Sequence, residues 1–174
     1  MRHPTHLTGV ERFFDKDEVI VSKTNTQGMI TYANRTFLTI SGYAEDEVVG
    51  KPHNLIRHPD MPRCVFRMLW ETIRSGHEIF AYVVNRCKHG DHYWVLAHVT
   101  PSFDAGHGVV GYHSNRRVPD RPALEGTIIP LYRRLSSLEQ ANPDPKAGLD
   151  ASTAALAEVL EGKGLSYEQF IFAL

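Results

Sequence analysis

Residues 79–101 read IFAYVVNRCKHGDHYWVLAHVTP, and their alternation decides the fold. Side chains two apart on a strand share a face, so Ile79, Ala81, Val83 and Asn85 fall together, as do Tyr93, Val95, Ala97 and Val99. Between the two runs, Lys88-His89-Gly90 supplies a glycine that tolerates the positive φ of a tight turn. Two antiparallel strands, 79–87 and 91–101, are expected, with the mainly apolar face turned inward. Asn85 is then a polar amide in an apolar surface. Such a group costs roughly 1–3 kcal/mol unless it is hydrogen-bonded.

Upstream, residues 54–62 read NLIRHPDMP, a short stretch carrying Arg57, His58 and Asp60 where a core segment would be mostly aliphatic. Polar density there and at Asn85 indicates a lined pocket. Residues 19–24 and 29–32 are β-rich and flank a turn at 25–28, which reads as a hairpin. Asn34 stands as an N-cap before a short helix stopped by Gly42, and a second, 45–49, ends at Gly50. Asp60 is the expected cap of a longer helix reaching Ser75, with Pro62 in its first turn. Val65, Phe66, Leu69, Trp70 and Ile73 give that helix one apolar face. Residues 108–118 complete the set as a last strand.

Composition excludes several classes. A 174-residue chain with 42% hydrophobic and 22% charged residues is an ordinary globular protein, and a net charge of −1 makes no case for nucleic acid or an anionic membrane. The longest apolar runs, 128–131 and 171–174, fall far short of the ~20 residues of a spanning helix, and no apolar signal region opens the chain. A cytoplasmic protein is expected. Cys64 and Cys87 stand outside any CxxC spacing, which points to buried, reduced thiols rather than zinc, covalent haem or a disulfide. No nucleophile–base pair, phosphate loop or metal-ligand cluster is present, so an enzyme is not expected.

The order two strands, short helices, a longer helix, three strands is that of an α+β PAS domain: a five-stranded antiparallel sheet with short helices over one face. Residues 40–62, ISGYAEDEVVGKPHNLIRHPDMP, and 85–101, NRCKHGDHYWVLAHVTP, resemble the PAS domain of the bacterial aerotaxis-receptor family. The resemblance implies bound FAD and redox sensing, with flavin contacts at Asn85, Arg57, His53, His58, Asp60, Tyr93, Asn34 and Trp70. Family members continue into membrane and methyl-accepting regions. A stand-alone PAS chain is expected to signal to a separate chemoreceptor or sensor kinase, with a homodimer as a further possibility.

Structural readings stand beside these roles. Arg57 and Asp60, three apart at a helix start, also suit an ion pair or a cap. Asn85 also suits a backbone or water partner, and His58 also suits a haem ligand. Tyr93 and Trp94 also suit core and sheet-surface positions, and Trp94 faces opposite to Tyr93. One departure stands out: where the flavin-binding family carries a tryptophan before the NR dipeptide, this chain has Ile79-Phe80-Ala81. Phe80 is shifted by one residue and points to the other face. A cofactor-free interaction module and a haem-based gas sensor therefore stand as alternatives to the flavin sensor. The cysteine motif of photoactive flavin domains is absent.

The chain divides into a cap segment (1–18), the PAS domain (19–118) and a helical extension (119–174). In the extension, 126–140 reads as an amphipathic helix interrupted near its start by Pro130, 141–148 as a Pro/Gly linker, 151–160 as an alanine-rich helix and 165–174 as a terminal helix. Covering of exposed sheet, docking and dimerisation are the roles open to it.

Overall fold

The computed structural model describes residues 6–174; residues 1–5 of the expected cap segment lie outside the described residues. Strands β1 (Ile20–Asn25), β2 (Ile30–Ala33), β3 (Ile79–Arg86), β4 (His92–Phe103) and β5 (Val109–Arg117) form one sheet in the order β2-β1-β5-β4-β3. Every neighbouring pair is antiparallel. On β3 and β4 the expected ladder is in register: Ile79 lies opposite Val99, Ala81 opposite Ala97, Val83 opposite Val95 and Asn85 opposite Tyr93. All eight are buried, as the inward face of a two-layer domain requires.

Helix α1 (Arg35–Ser41) starts and stops where the sequence places its caps. The Asn34 side chain accepts from the Phe37 amide, and Gly42 closes the helix at φ 74°. Helix α2 (Glu45–Val48) and a 3₁₀ turn (His53–Ile56) follow, then α3 (Arg63–Arg74). Asp60 does not cap α3. The cap position belongs to Pro62, which offers no side-chain acceptor, and the Asp60 side chain is 78% exposed. The acceptor comes instead from Glu139, far along the chain: its Oε2 takes the Arg63 amide and its Oε1 the Cys64 amide, both at 3.0 Å.

The C-terminal region is more helical than the sequence indicates. Asp120 caps a short α4 (Arg121–Ala123), and a π-helical turn (Leu124–Ile128) leads into α5 (Ile129–Ala141), where Pro130 sits harmlessly in the first turn. The expected linker at 141–148 is corrected by α6 (Pro145–Lys163), which starts on the Asp144 cap with Pro145 at its first position. Gly148 lies within that helix because α5 passes so close: a Cβ there would meet the Glu139 carbonyl oxygen at 2.6 Å. Helix α7 (Tyr167–Phe172) ends the fold.

These helices pack against α3 and the outer face of β3 and β4. The Tyr132 hydroxyl donates to the Tyr82 carbonyl at 2.7 Å, the Trp94 and Tyr132 rings lie 6.1 Å apart, and Phe172 meets Phe80 edge-on at 4.8 Å. Residues 8–12 run beside the β3–β4 hairpin, where the Arg12 amide donates to the His92 carbonyl at 2.7 Å. Both cysteines are buried and unbridged.

Candidate functional site

Between the inner face of the sheet and α3 lies a cavity of about 400 Å³, within the roughly 300–1,000 Å³ of small-molecule sites. Its helical wall follows from the i, i+3/i+4 spacing of Phe66, Leu69, Trp70 and Ile73, and its sheet wall from Val83, Ala97 and Val99. Trp70 meets Tyr112 edge-on at 5.5 Å. Gly28, at φ 76°, leaves room for it: a Cβ there would stand 3.0 Å from the indole. The walls suit a flat, apolar ligand body.

Polar groups interrupt these walls, and three of them are not satisfied internally. Asn85 Nδ2, Arg116 Nη1 and Ser114 Oγ are buried without a partner, and all three residues line the cavity. Each such orphan costs roughly 1–3 kcal/mol. Arg116 is only 3% exposed, and no carboxylate bridges to it among the described residues. Its Nη2 donates to Ser22 Oγ at 2.8 Å and to His53 Nε2 at 2.6 Å. For His53 to accept there, its ring proton sits on Nδ1. Burial, and then the charge of Arg116, push the His53 imidazolium down to about 3, so this ring is neutral at ordinary pH. No acidic side chain lines the cavity among the described residues.

The structure brings together four of the eight residues expected at the site. Asn85, Arg57, His53 and Trp70 line the cavity. Arg57 forms no ion pair with Asp60; its guanidinium lies 4.4 Å over the Phe66 ring, and its backbone bridges to that of Asn85. The other four do not line it. Asn34 is fully used by the backbone, accepting from Val21 and Phe37 and donating to the Val19 carbonyl. His58 accepts the Asp60 amide on Nδ1 and faces His92 at 5.5 Å, while the Asp60 side chain points to solvent. Tyr93 is completely buried opposite Asn85, with no partner for its hydroxyl, and burial raises its phenol.

Phe80 stacks on His98 at 4.1 Å on the outer face, as alternation requires, so it does not stand in for an inward aromatic at position 79. The sequence reading missed Arg116, Ser114, Tyr112 and Ser22. The three β5 residues alternate along YHSNRR, but both faces of that stretch are polar and periodicity is silent there.

Comparison with known proteins adds the family. A model of the PAS fold matches residues 30–115. The aerotaxis receptor of Escherichia coli is 42% identical over 122 residues, 70% of this chain and 24% of the receptor. The biofilm dispersion protein of Pseudomonas aeruginosa is 34% identical over 119 residues, 64% of this chain and 28% of that protein. The chain thus spans about a quarter of the length of these two relatives. A solved light-oxygen-voltage domain, from a study of a flavin analogue, superposes with a TM-score of 0.56 at 21% identity, covering 63% of this chain and 82% of that one. No described helix is long and apolar enough to cross a membrane. Strand order, cavity and these matches converge: the chain belongs to the PAS family, with a domain resembling that of the aerotaxis receptor.

Proposed function

We propose that this PAS domain is a cytoplasmic redox sensor that holds FAD in its cavity and signals to a separate chemoreceptor or sensor kinase through changed protein contacts. The observation that carries this reading is the set of orphaned donors, Asn85 Nδ2 and Arg116 Nη1, on a mainly apolar cavity. An isoalloxazine ring fits such a site: its faces are apolar, and its edge is rich in carbonyl oxygens and ring nitrogens that accept hydrogen bonds. The 42% identity to an aerotaxis receptor supports the same reading.

When bound, the cofactor supplies reversible electron uptake accompanied by changes of charge and protonation at the ring edge. The Asn85 amide presents a donor or an acceptor according to how it is turned, so it answers such a change by rotating. Arg116 provides a fixed positive charge that favours a more negative ligand edge. His53 stays neutral and keeps the guanidinium aimed. Asn85 is tied through its backbone to Arg57, and Arg86 beside it donates to the Leu55 carbonyl, so its motion reaches the segment leading into α3. From α3 the path continues through Glu139 to the C-terminal helices.

The test is an absorption spectrum of freshly purified protein, with acid release and chromatography of any chromophore. FAD near one-to-one is the expected result. Absence of flavin even after incubation with excess FAD ends this reading. A cofactor-free interaction module is the second reading, favoured by Ile79 where the family has tryptophan and by the helices packed on the sheet. It predicts a colourless protein whose Tm ignores FAD. The haem reading gains nothing from His58, which lies off the cavity with Nδ1 already engaged.

A further inference from the structure

Arg57 and Arg63 line two hollows at once. One is the cavity; the other is a recess of about 490 Å³, walled by the Arg57–Arg63 stretch on one side and by α5 and the start of α6 on the other. Arg63 is committed there, donating to Glu139 Oε2 and to the Pro145 carbonyl. Arg57 is not: among the described residues it has no carboxylate partner, only the Phe66 ring beneath it. Glu139 at the base is ionised but takes hydrogen bonds from the Arg63 and Cys64 amides, the Arg63 guanidinium and Ser152, so its charge is paired with that of Arg63 and the recess keeps the positive charge of Arg57. Pro59, exposed in front of the buried Met61, gives the recess an apolar flank, and Gln140 and Asn142 give it amides. A cavity of about 400 Å³ houses a tricyclic ring but not a whole dinucleotide, so a bound dinucleotide must continue outside it.

We propose that this recess seats the phosphate–adenosine tail of FAD, with Arg57 against a phosphate, the adenine beside Pro59, and the amides of Gln140 and Asn142 as polar partners. The C-terminal helices, which lie outside the matched stretch 30–115, then select the dinucleotide over shorter flavins. The inference rests on the flavin reading of the cavity. It adds a second subsite that the PAS fold alone does not build.

Fluorescence titrations with FAD, FMN and riboflavin test it on the full chain, in wild type, Gln140→Trp and Arg57→Gln. Gln140 is exposed, so a tryptophan there fills the recess without entering the core. Wild type is expected to bind FAD at least tenfold tighter than riboflavin. Gln140→Trp should erase that preference while leaving riboflavin affinity within twofold, and Arg57→Gln should weaken FAD more than riboflavin. Loss of preference in either variant supports the subsite; survival in both overturns it. Riboflavin and FAD binding equally to wild type would sink the subsite and leave the flavin reading intact. No binding of any flavin would remove both.

Discussion

Glu139 between helices and Arg116 beside the cavity are both charged side chains withdrawn from water, and their surroundings differ in kind. Glu139 receives four hydrogen bonds, from the Arg63 and Cys64 amides, the Arg63 guanidinium and the Ser152 hydroxyl, at 2.9 to 3.1 Å. Burial alone would raise its carboxyl, but these donors outweigh burial and hold it below the usual range. Arg116 has only Ser22 and neutral His53, with Nη1 left over. A completed network belongs to the architecture; an incomplete one, facing a hollow, is built for something that arrives.

The largest effect expected from breaking this contrast is at the completed end. Glu139→Ala leaves two amides of the α3 N-terminus, a guanidinium and a hydroxyl without their acceptor, and should cost about 3 kcal/mol in urea unfolding. At the incomplete end the ordering reverses. Asn85→Leu and Arg116→Met should leave the ligand-free protein within about 1 kcal/mol of wild type or make it more stable, because each removes an orphan. The same variants should lose flavin affinity at least tenfold by titration. Tyr132→Phe, which deletes the bond to the Tyr82 carbonyl, should cost about 1 kcal/mol in the same unfolding assay. Near neutrality the smallest effect is that of His53. Its folded pKa, about 3, lies below the ordinary 6.5, so below pH 6.5 the unfolded chain takes up a proton that the folded chain refuses. Stability should therefore be level above pH 6.5 and decline toward pH 3, and His53→Gln should flatten that decline in a pH series of melting curves.

Much of the fold was legible because it is encoded locally. The β3–β4 ladder follows from alternation over 79–101, and the ends of α1 follow from Asn34 and Gly42. What stayed hidden depends on distant contacts. The cap of α3 is supplied from 76 residues away, so the nearest acidic residue, Asp60, was the natural local choice and not the one used. Residues 141–148 read as a linker because Pro145 and Gly148 are helix breakers in isolation; beside α5 the first opens a helix and the second permits its approach. At the cavity, Asn85 was visible against an apolar face, whereas Arg116 and Ser114 were camouflaged on a strand polar on both sides.

The Tyr132 hydroxyl on the Tyr82 carbonyl has a consequence for how this protein meets others. It plugs the outer edge of β3, which the Arg57–Asn85 bridge interrupts at another point. At the opposite margin, Ile30 of β2 exchanges backbone bonds with Gly50 and Lys51. Neither rim of the sheet offers a long open template, so an incoming chain is denied the generic currency of strand addition and must recognise side chains on a face.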